Sequence, residues 1–183
     1  MSASLVLGCT ALIVRSKIAP IDVKELINIS DAVVFVERGK TEFAPKLRSV
    51  IFSKVNPAPR ESTFEIQPAP QVFAGQPSEM SFCGVDSSGF LFLKRLKNRK
   101  GYWALSSYSH GWIPLINEQV GFREWKEFNL DQQVLQDKLW IGSGVLFSTR
   151  LRPPKGKLIS RAAIKQELLR VYRHYARPTT SKK

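Results

Sequence analysis

The side chains capable of acid–base chemistry are few in this sequence, and their spacing matches no catalytic motif. Only two histidines are present, His110 and His174. The sequence contains no P-loop, Gly-x-Gly-x-x-Gly, Gly-x-Ser-x-Gly or His-Glu-x-x-His. We interpret His110 as a structural hydrogen-bonding residue and His174 as a solvated helix residue. The sequence therefore predicts a protein that is not an enzyme, with no catalytic residues and no cofactor.

A small nuclease is kept as a third alternative, because one histidine beside a carboxylate is enough for some nucleases. Metal-dependent cleavage would need carboxylates beside a basic groove. The carboxylates near enough in sequence are Asp86, Glu118, Glu124, Glu127, Asp131 and Asp137.

The two cysteines, Cys9 and Cys83, each lie in an apolar segment. We interpret them as buried thiols in a reducing compartment, with a disulfide between them left open. Two cysteines with no nearby histidine do not make a zinc site, so no metal is expected.

Basic charge is concentrated in the last quarter of the chain. Residues 139–183 hold eleven Lys or Arg and a single acid, Glu167, which gives +10 of the formal net charge of +13. Such an imbalance costs self-repulsion in the folded state and is not needed for solubility. We therefore expect a polyanionic partner: nucleic acid, a ribonucleoprotein or anionic lipid headgroups.

Two segments carry the residues predicted to contact this partner. The first is a basic turn followed by aromatic residues, a combination that can contact phosphates and stack bases or enter a lipid interface. Its bases are Lys94, Arg95, Lys97, Arg99 and Lys100. The second is a basic loop with the helix that follows it. Its bases are Arg150, Arg152, Lys155, Lys157, Arg161, Lys165, Arg170, Arg173 and Arg177.

The predicted fold class is α+β: a mainly antiparallel sheet with short helices and a long basic C-terminal helix. Strands are predicted at 5–14 and 32–36, the latter buried on both faces. Asp22 predicts the N-cap of a helix over 23–29, and Ser160 that of a helix over 161–176. A turn over 37–40 and a helical segment starting near Thr41 and running to 52 are expected between the first helix and the proline-rich region.

The middle of the chain predicts a hairpin of strands at 89–96 and 102–108, ended by residues 112–114. Two short helices are expected within 118–139, and one strand over 140–151 whose Gly142 and Gly144 mark a bulge or tight contact.

In the terminal helix, Ile164, Leu168, Val171, Tyr172 and Tyr175 form one apolar stripe. Arg170, Arg173 and Arg177 lie on the opposite side.

The domain prediction is one α+β domain over 1–178 and a mobile basic tail over 179–183. A proline-rich crossover near 56–78, with a short edge strand at 63–66, interrupts the domain. The apolar stretch 4–14 is shorter than the ~20 residues that cross a bilayer. We expect a protein that is not secreted and whose membrane contact, if any, is peripheral.

Three short segments are compared with known families: Val14-Arg15-Ser16 at the end of a predicted strand, the Gly39-Lys40 turn, and residues 101–110 (GYWALSSYSH). Through the first two, the first fifty residues resemble the start of rhabdovirus-type matrix proteins, and residues 101–110 resemble that family's closing strand. This chain departs from the family by continuing for 73 residues beyond that strand and by carrying its charge at the C-terminus. The resemblance implies a self-associating structural protein of the virion.

The function predicted from charge and resemblance together is that of a viral matrix-like protein. It would bridge an anionic membrane surface and a ribonucleoprotein, and would occur in the virion and in host cytoplasm or at the inner membrane surface. The alternative is an RNA- or DNA-binding protein with no membrane role, such as a silencing suppressor or nucleoprotein accessory factor. That protein would be cytoplasmic or nuclear.

Overall fold

The structure is a computed structural model of the 183-residue chain. It describes residues 20–41, 44–61, 64–66, 87–97, 102–105, 111–124, 137–142, 144–153 and 155–175, with backbone alone at 65 and 102–105. The predicted strand at 5–14, both cysteines, His110 and the tail 179–183 lie outside these residues, as does most of the proline-rich crossover.

Two helices and two sheets form the described part of the chain. The helices are α1 (Val23–Ile29) and α2 (Arg161–Tyr175), and a 3₁₀ helix covers Thr149–Leu151. The strands before residue 100 are β1 (Ile21–Asp22), β2 (Ala32–Thr41), β3 (Ala44–Ser53), β4 (Glu65–Ile66) and β5 (Ser88–Arg95). Those after it are β6 (Tyr102–Leu105), β7 (Trp112–Leu115), β8 (Gln119–Glu124), β9 (Lys138–Ile141), β10 (Val145–Ser148) and β11 (Leu158–Ser160).

Both sheets are dominated by antiparallel pairs. One has the order β1-β10-β9-β8-β11, and the other β3-β2-β5-β6-β4, with β7 also paired to β5. Only β1–β10 and β6–β4 are parallel among the described pairs. The chain passes from one sheet to the other at the tight β7–β8 connection, where Ile116 and Gln119 exchange backbone hydrogen bonds of 2.8 and 3.0 Å. The α+β fold class with its C-terminal helix is therefore confirmed.

Both helices begin where capping residues in the sequence predicted them to begin. The Asp22 carboxylate accepts a hydrogen bond of 2.8 Å from the backbone of Lys24, which caps α1. The Ser160 hydroxyl accepts one of 3.3 Å from the backbone of Ala163, which caps α2. Each cap satisfies an amide that has no partner within the helix.

The main core lies between the two sheets and the two helices. Phe35, Phe90 and Phe147 from the sheets and Leu26 and Leu168 from the helices belong to one buried cluster. The opposite face of β2 and β5 is also covered, by a second cluster that includes Val34, Leu91 and Phe64. Residues 32–36 are thus buried on both faces, as predicted.

The predicted turn over 37–40 and helix over 41–52 are wrong. β2 continues to Thr41 and β3 returns alongside it, with Thr41 opposite Ala44 and Ala32 opposite Ser53. Register shifts in this pair break the strict alternation that marks a strand in sequence. Pro45 is accommodated because β3 is at the edge of its sheet.

Three further predictions in the second half are corrected. Residues 119–124, expected to be helical, form β8, and residues 112–115 form β7 instead of simply ending a hairpin. The single strand over 140–151 is instead two antiparallel strands, β9 and β10. Gly142 and Gly144, with φ of 59° and 134°, turn the chain between them.

The predicted β-hairpin and edge strand are confirmed within the described residues. β5 pairs antiparallel with β6, and β4 lies at the end of the sheet order, beside β6. Residues 125–136 and 106–108 lie outside the described part, so the remaining predictions there stay predictions.

Candidate functional site: a basic surface on the C-terminal helix

Contacts with the core fix which side of the C-terminal helix faces solvent. Ile164, Leu168 and Val171 are buried in the main core. The ring of Tyr172 stacks on Phe52 of β3 at a centroid distance of 4.1 Å and an interplanar angle of 6°. Because these contacts fix the rotation of α2, its opposite side must face solvent.

Four bases of α2 and of the loop before it are exposed and make no ion pair with any described carboxylate. They are Arg150, Lys155, Lys165 and Arg173. Lys157 is exposed as well. We call Arg150, Lys155, Lys165 and Arg173 the basic surface. Exposed cations without a neighbouring acid attract a polyanion.

A groove between α2 and the 3₁₀ helix contains one residue of the basic surface, Arg173. Its volume is about 650 Å³, and Leu151, Gln166, Arg170, Arg173 and His174 line it. The His174 ring meets Tyr175 edge-on, at 4.7 Å and 88°. The groove therefore combines the exposed cation of Arg173, the Arg170–Glu167 pair, two further polar side chains and three apolar ones, Leu151, Ala163 and Leu169.

Arg170, one of the predicted contact residues, is engaged within the protein. Its guanidinium donates two hydrogen bonds to the carboxylate of Glu167, from Nε at 2.7 Å and from Nη2 at 2.6 Å. The Glu167 side chain is only 8% exposed. The hydrogen bond to Glu167 raises the pKa of Arg170, and the two side chains form an ion pair within the helix.

Two other predicted contact residues are also paired with acids. Arg152 forms an ion pair with Glu124. Arg161 forms one with Glu118 at 2.7 Å, and its guanidinium lies 4.8 Å from the centroid of the Phe35 ring. Arg161 is at the first position of α2, where the helix dipole disfavours a cation, and the Glu118 carboxylate offsets that cost.

The first two bases of the predicted basic turn, Lys94 and Arg95, make hydrogen bonds within the protein. The Lys94 ammonium donates to the Ile29 carbonyl at 3.1 Å and lies 3.6 Å from an Asp31 carboxylate oxygen. Arg95 donates from its backbone to Asp31 at 2.8 Å and from its guanidinium to the Asn56 carbonyl at 3.2 Å. Lys97 is exposed. Arg99 and Lys100, like Arg177, lie outside the described residues.

Lys54 also contacts the C-terminal end of α1, as Lys94 does. The sequence did not predict this contact. The Lys54 ammonium donates to the carbonyls of Ile27 at 2.5 Å and Asn28 at 3.0 Å. Burial lowers the pKa of Lys54, and nearby Asp31 partly offsets this. Together, Lys54 and Lys94 satisfy carbonyls in the last turn of α1, which has no basic residue of its own.

A second cleft, of about 490 Å³, lies between α2 and the β2–β3 pair. Its polar lining includes Glu37, Arg48, Arg161 and Lys165. Arg48 donates to Glu37 at 2.5 Å, and that hydrogen bond holds the pKa of Glu37 below its ordinary value. Sequence reasoning missed Arg48 because the segment was expected to be helical.

No family model, curated protein or solved structure matches this chain. The functional proposal therefore rests on the positions, burial and charge of the described residues. Within the described residues, neither helix is long and apolar enough to cross a bilayer. Across the same ranges, no three His, Cys, Asp or Glu side chains group together as a metal site would require.

Proposed function

We propose that this protein is a non-enzymatic, matrix-like structural protein that binds a ribonucleoprotein through the basic surface and an anionic membrane elsewhere. The observation that carries the proposal is the set of exposed cations without acidic partners on α2 and its preceding loop. The paired residues Arg152, Arg161 and Arg170 are assigned to holding this surface in place.

The charges on this surface are sufficient for the proposed role. Each phosphate of a single strand that is neutralised steepens the dependence of log K on log salt by roughly 0.7. Four such contacts would give a slope of about −3, and that interaction needs no base-specific contact. A structural protein that coats a ribonucleoprotein has to bind independently of sequence in this way.

The test replaces two unpaired cations of α2. Lys165→Glu with Arg173→Glu should weaken binding to single-stranded RNA at 0.15 M salt by at least tenfold and make the salt slope shallower by about 1.4 units. The measurement is fluorescence anisotropy across a salt series. The matched control is Arg38→Glu with Lys40→Glu. It changes the net charge equally, at exposed positions of β2.

Equal losses in both variants would mean that only net charge matters, and would refute the basic surface as a binding site. Unchanged binding in the α2 variant, with the fold intact by circular dichroism, would refute it as well.

An RNA- or DNA-binding protein without a membrane role is the second candidate. The groove between α2 and the 3₁₀ helix favours it, because a cationic groove can follow a single strand. Flotation with vesicles separates the two candidates. A matrix-like protein should float with anionic vesicles and not with neutral ones, whereas this alternative should float with neither.

A further inference from the structure

The most exposed large apolar side chains among the described residues lie at one shallow depression. Ile116 is 77% exposed and Leu158 is 54% exposed. Both line a depression of about 740 Å³ on the sheet formed by β9, β8 and β11. Exposed aliphatic side chains cost free energy in water and cluster where a partner covers them.

The construction of the depression explains why these side chains project. Ile116 immediately precedes the two-residue turn Asn117-Glu118, whose φ values of 50° and 64° fold β7 tightly onto β8. Leu158 is opposite Gly121 in the β11–β8 pair. A β-carbon placed on Gly121 would have no heavy atom within 4 Å, so the floor of the depression is open.

A half-buried aromatic residue and a cation form the next row of the same sheet. Trp140 is opposite Arg123 in the β9–β8 pair, and both line the depression. Lys155 and Lys157, in the loop that enters β11, are exposed. Indole rings and basic side chains beside aliphatic residues are typical of surfaces that lie at a membrane interface.

Among the described residues, two acids near this surface are paired with arginines. Glu118 is paired with Arg161, and Glu124 with Arg152. The charge presented around the depression is therefore positive, which complements an anionic partner.

We propose that the depression around Ile116 and Leu158 is the membrane-facing surface of this protein. The two aliphatic side chains enter the interfacial region of an anionic bilayer, while Arg123 beside them meets its headgroups. This inference rests on the membrane half of the proposed function and assigns it a surface distinct from the α2 groove.

The charge and shape of the depression disfavour two other binding partners, a second copy of this chain and nucleic acid. A second copy docked symmetrically on this face would bring the same cations of two chains together, and like charges oppose that contact. Nucleic acid without sequence preference is held by stacking on aromatic rings. The most exposed side chains here, Ile116 and Leu158, are aliphatic, and the indole of Trp140 is half-buried.

The test is flotation with phosphatidylcholine vesicles containing 30% phosphatidylserine, with pure phosphatidylcholine for comparison. Ile116→Ser with Leu158→Ser should weaken partitioning about a hundredfold, at roughly tenfold for each aliphatic side chain removed from the interface. Val50→Ser is the matched control, because Val50 is an exposed aliphatic residue of β3 away from the depression. It should float as the wild type does.

Gly121→Leu distinguishes a lipid surface from a pocket for one ligand. The added side chain fills the open floor, so it should leave vesicle binding unchanged or strengthen it several-fold. Loss of binding would mean that a discrete ligand occupies the depression, and would overturn the proposal.

RNA binding is measured on the same variants to keep the two proposals separate. The Ile116/Leu158 variant should retain wild-type RNA affinity, whereas the Lys165/Arg173 variant should lose it. Flotation equal to wild type in the Ile116/Leu158 variant would refute the membrane surface and leave the RNA surface standing. A change from oligomer to monomer in that variant without vesicles would instead identify a second copy as the occupant.

Discussion

At the scale of single residues, neighbouring bases on α2 have different roles. Arg170 holds the buried carboxylate of Glu167 with two short hydrogen bonds, whereas Arg173, one turn further on, faces solvent without a described acid beside it. The sequence predicted the same role for both. Burial of Glu167 is what separates them, because a buried carboxylate needs a partner.

We expect Arg170→Ala to destabilise the protein by about 1–3 kcal/mol, because it leaves the Glu167 carboxylate without its donors. Arg173→Ala should stay within about 0.5 kcal/mol of wild type, as exposed substitutions usually do. Urea denaturation measures both. Adding Glu167→Gln to Arg170→Ala should recover part of the loss. Equal midpoints for the two single variants would contradict the assignment of Arg170 to the fold.

At the scale of elements, the β7–β8 connection links the two sheets. β7 pairs with β5 in one sheet and β8 with β9 in the other, so the turn at Asn117-Glu118 fixes how the chain passes between them. Its two residues adopt positive φ, a conformation that asparagine tolerates and β-branched residues do not.

Asn117→Val should therefore destabilise the protein by roughly 1–2 kcal/mol through backbone strain. Asn117→Gly should be neutral or slightly stabilising, since glycine adopts the same backbone conformation without a steric cost. The comparison uses thermal and urea unfolding of both variants. A valine variant as stable as the glycine variant would show that the turn relaxes to another conformation.

At the scale of the whole molecule, the positive charge is divided between structural and exposed residues. Lys54 and Lys94 cap α1, and Arg152, Arg161 and Arg170 pair with acids. Lys165 and Arg173 lie on α2 among these paired residues but are exposed and have no described acidic partner. Among the described residues, this division leaves few unpaired carboxylates beside the bases.

We expect no cleavage of labelled single- or double-stranded RNA or DNA by the purified protein with Mg²⁺ or Mn²⁺. Glu118 and Glu124, two of the carboxylates nearest the basic loop, already pair with arginines. Gel electrophoresis of the labelled strands is the measurement. Cleavage that is abolished by His110→Ala or Glu124→Ala would contradict the non-enzymatic proposal and support the nuclease alternative.

Local signals in the sequence determined the two helices and the strand over 32–36. Asp22 and Ser160 cap the helices because their side chains reach backbone amides two or three residues away. The apolar stripe of α2 and the continuous apolar run of β2 are likewise local patterns. The basic imbalance is a property of composition and needs no fold to be recognised.

The existence of strands β3, β7 and β8, and the roles of the individual basic residues, could be recognised only from the tertiary structure. A strand is stabilised by hydrogen bonds to another segment, and the bulged register of β2–β3 obscured the alternation that would have marked it. Lys94 reaches the carbonyl of a residue 65 positions earlier. Ile116 and Leu158 line one depression because β8 pairs with β11. Contacts between such distant positions depend on which strands pair, and that pairing is decided by packing of the whole core.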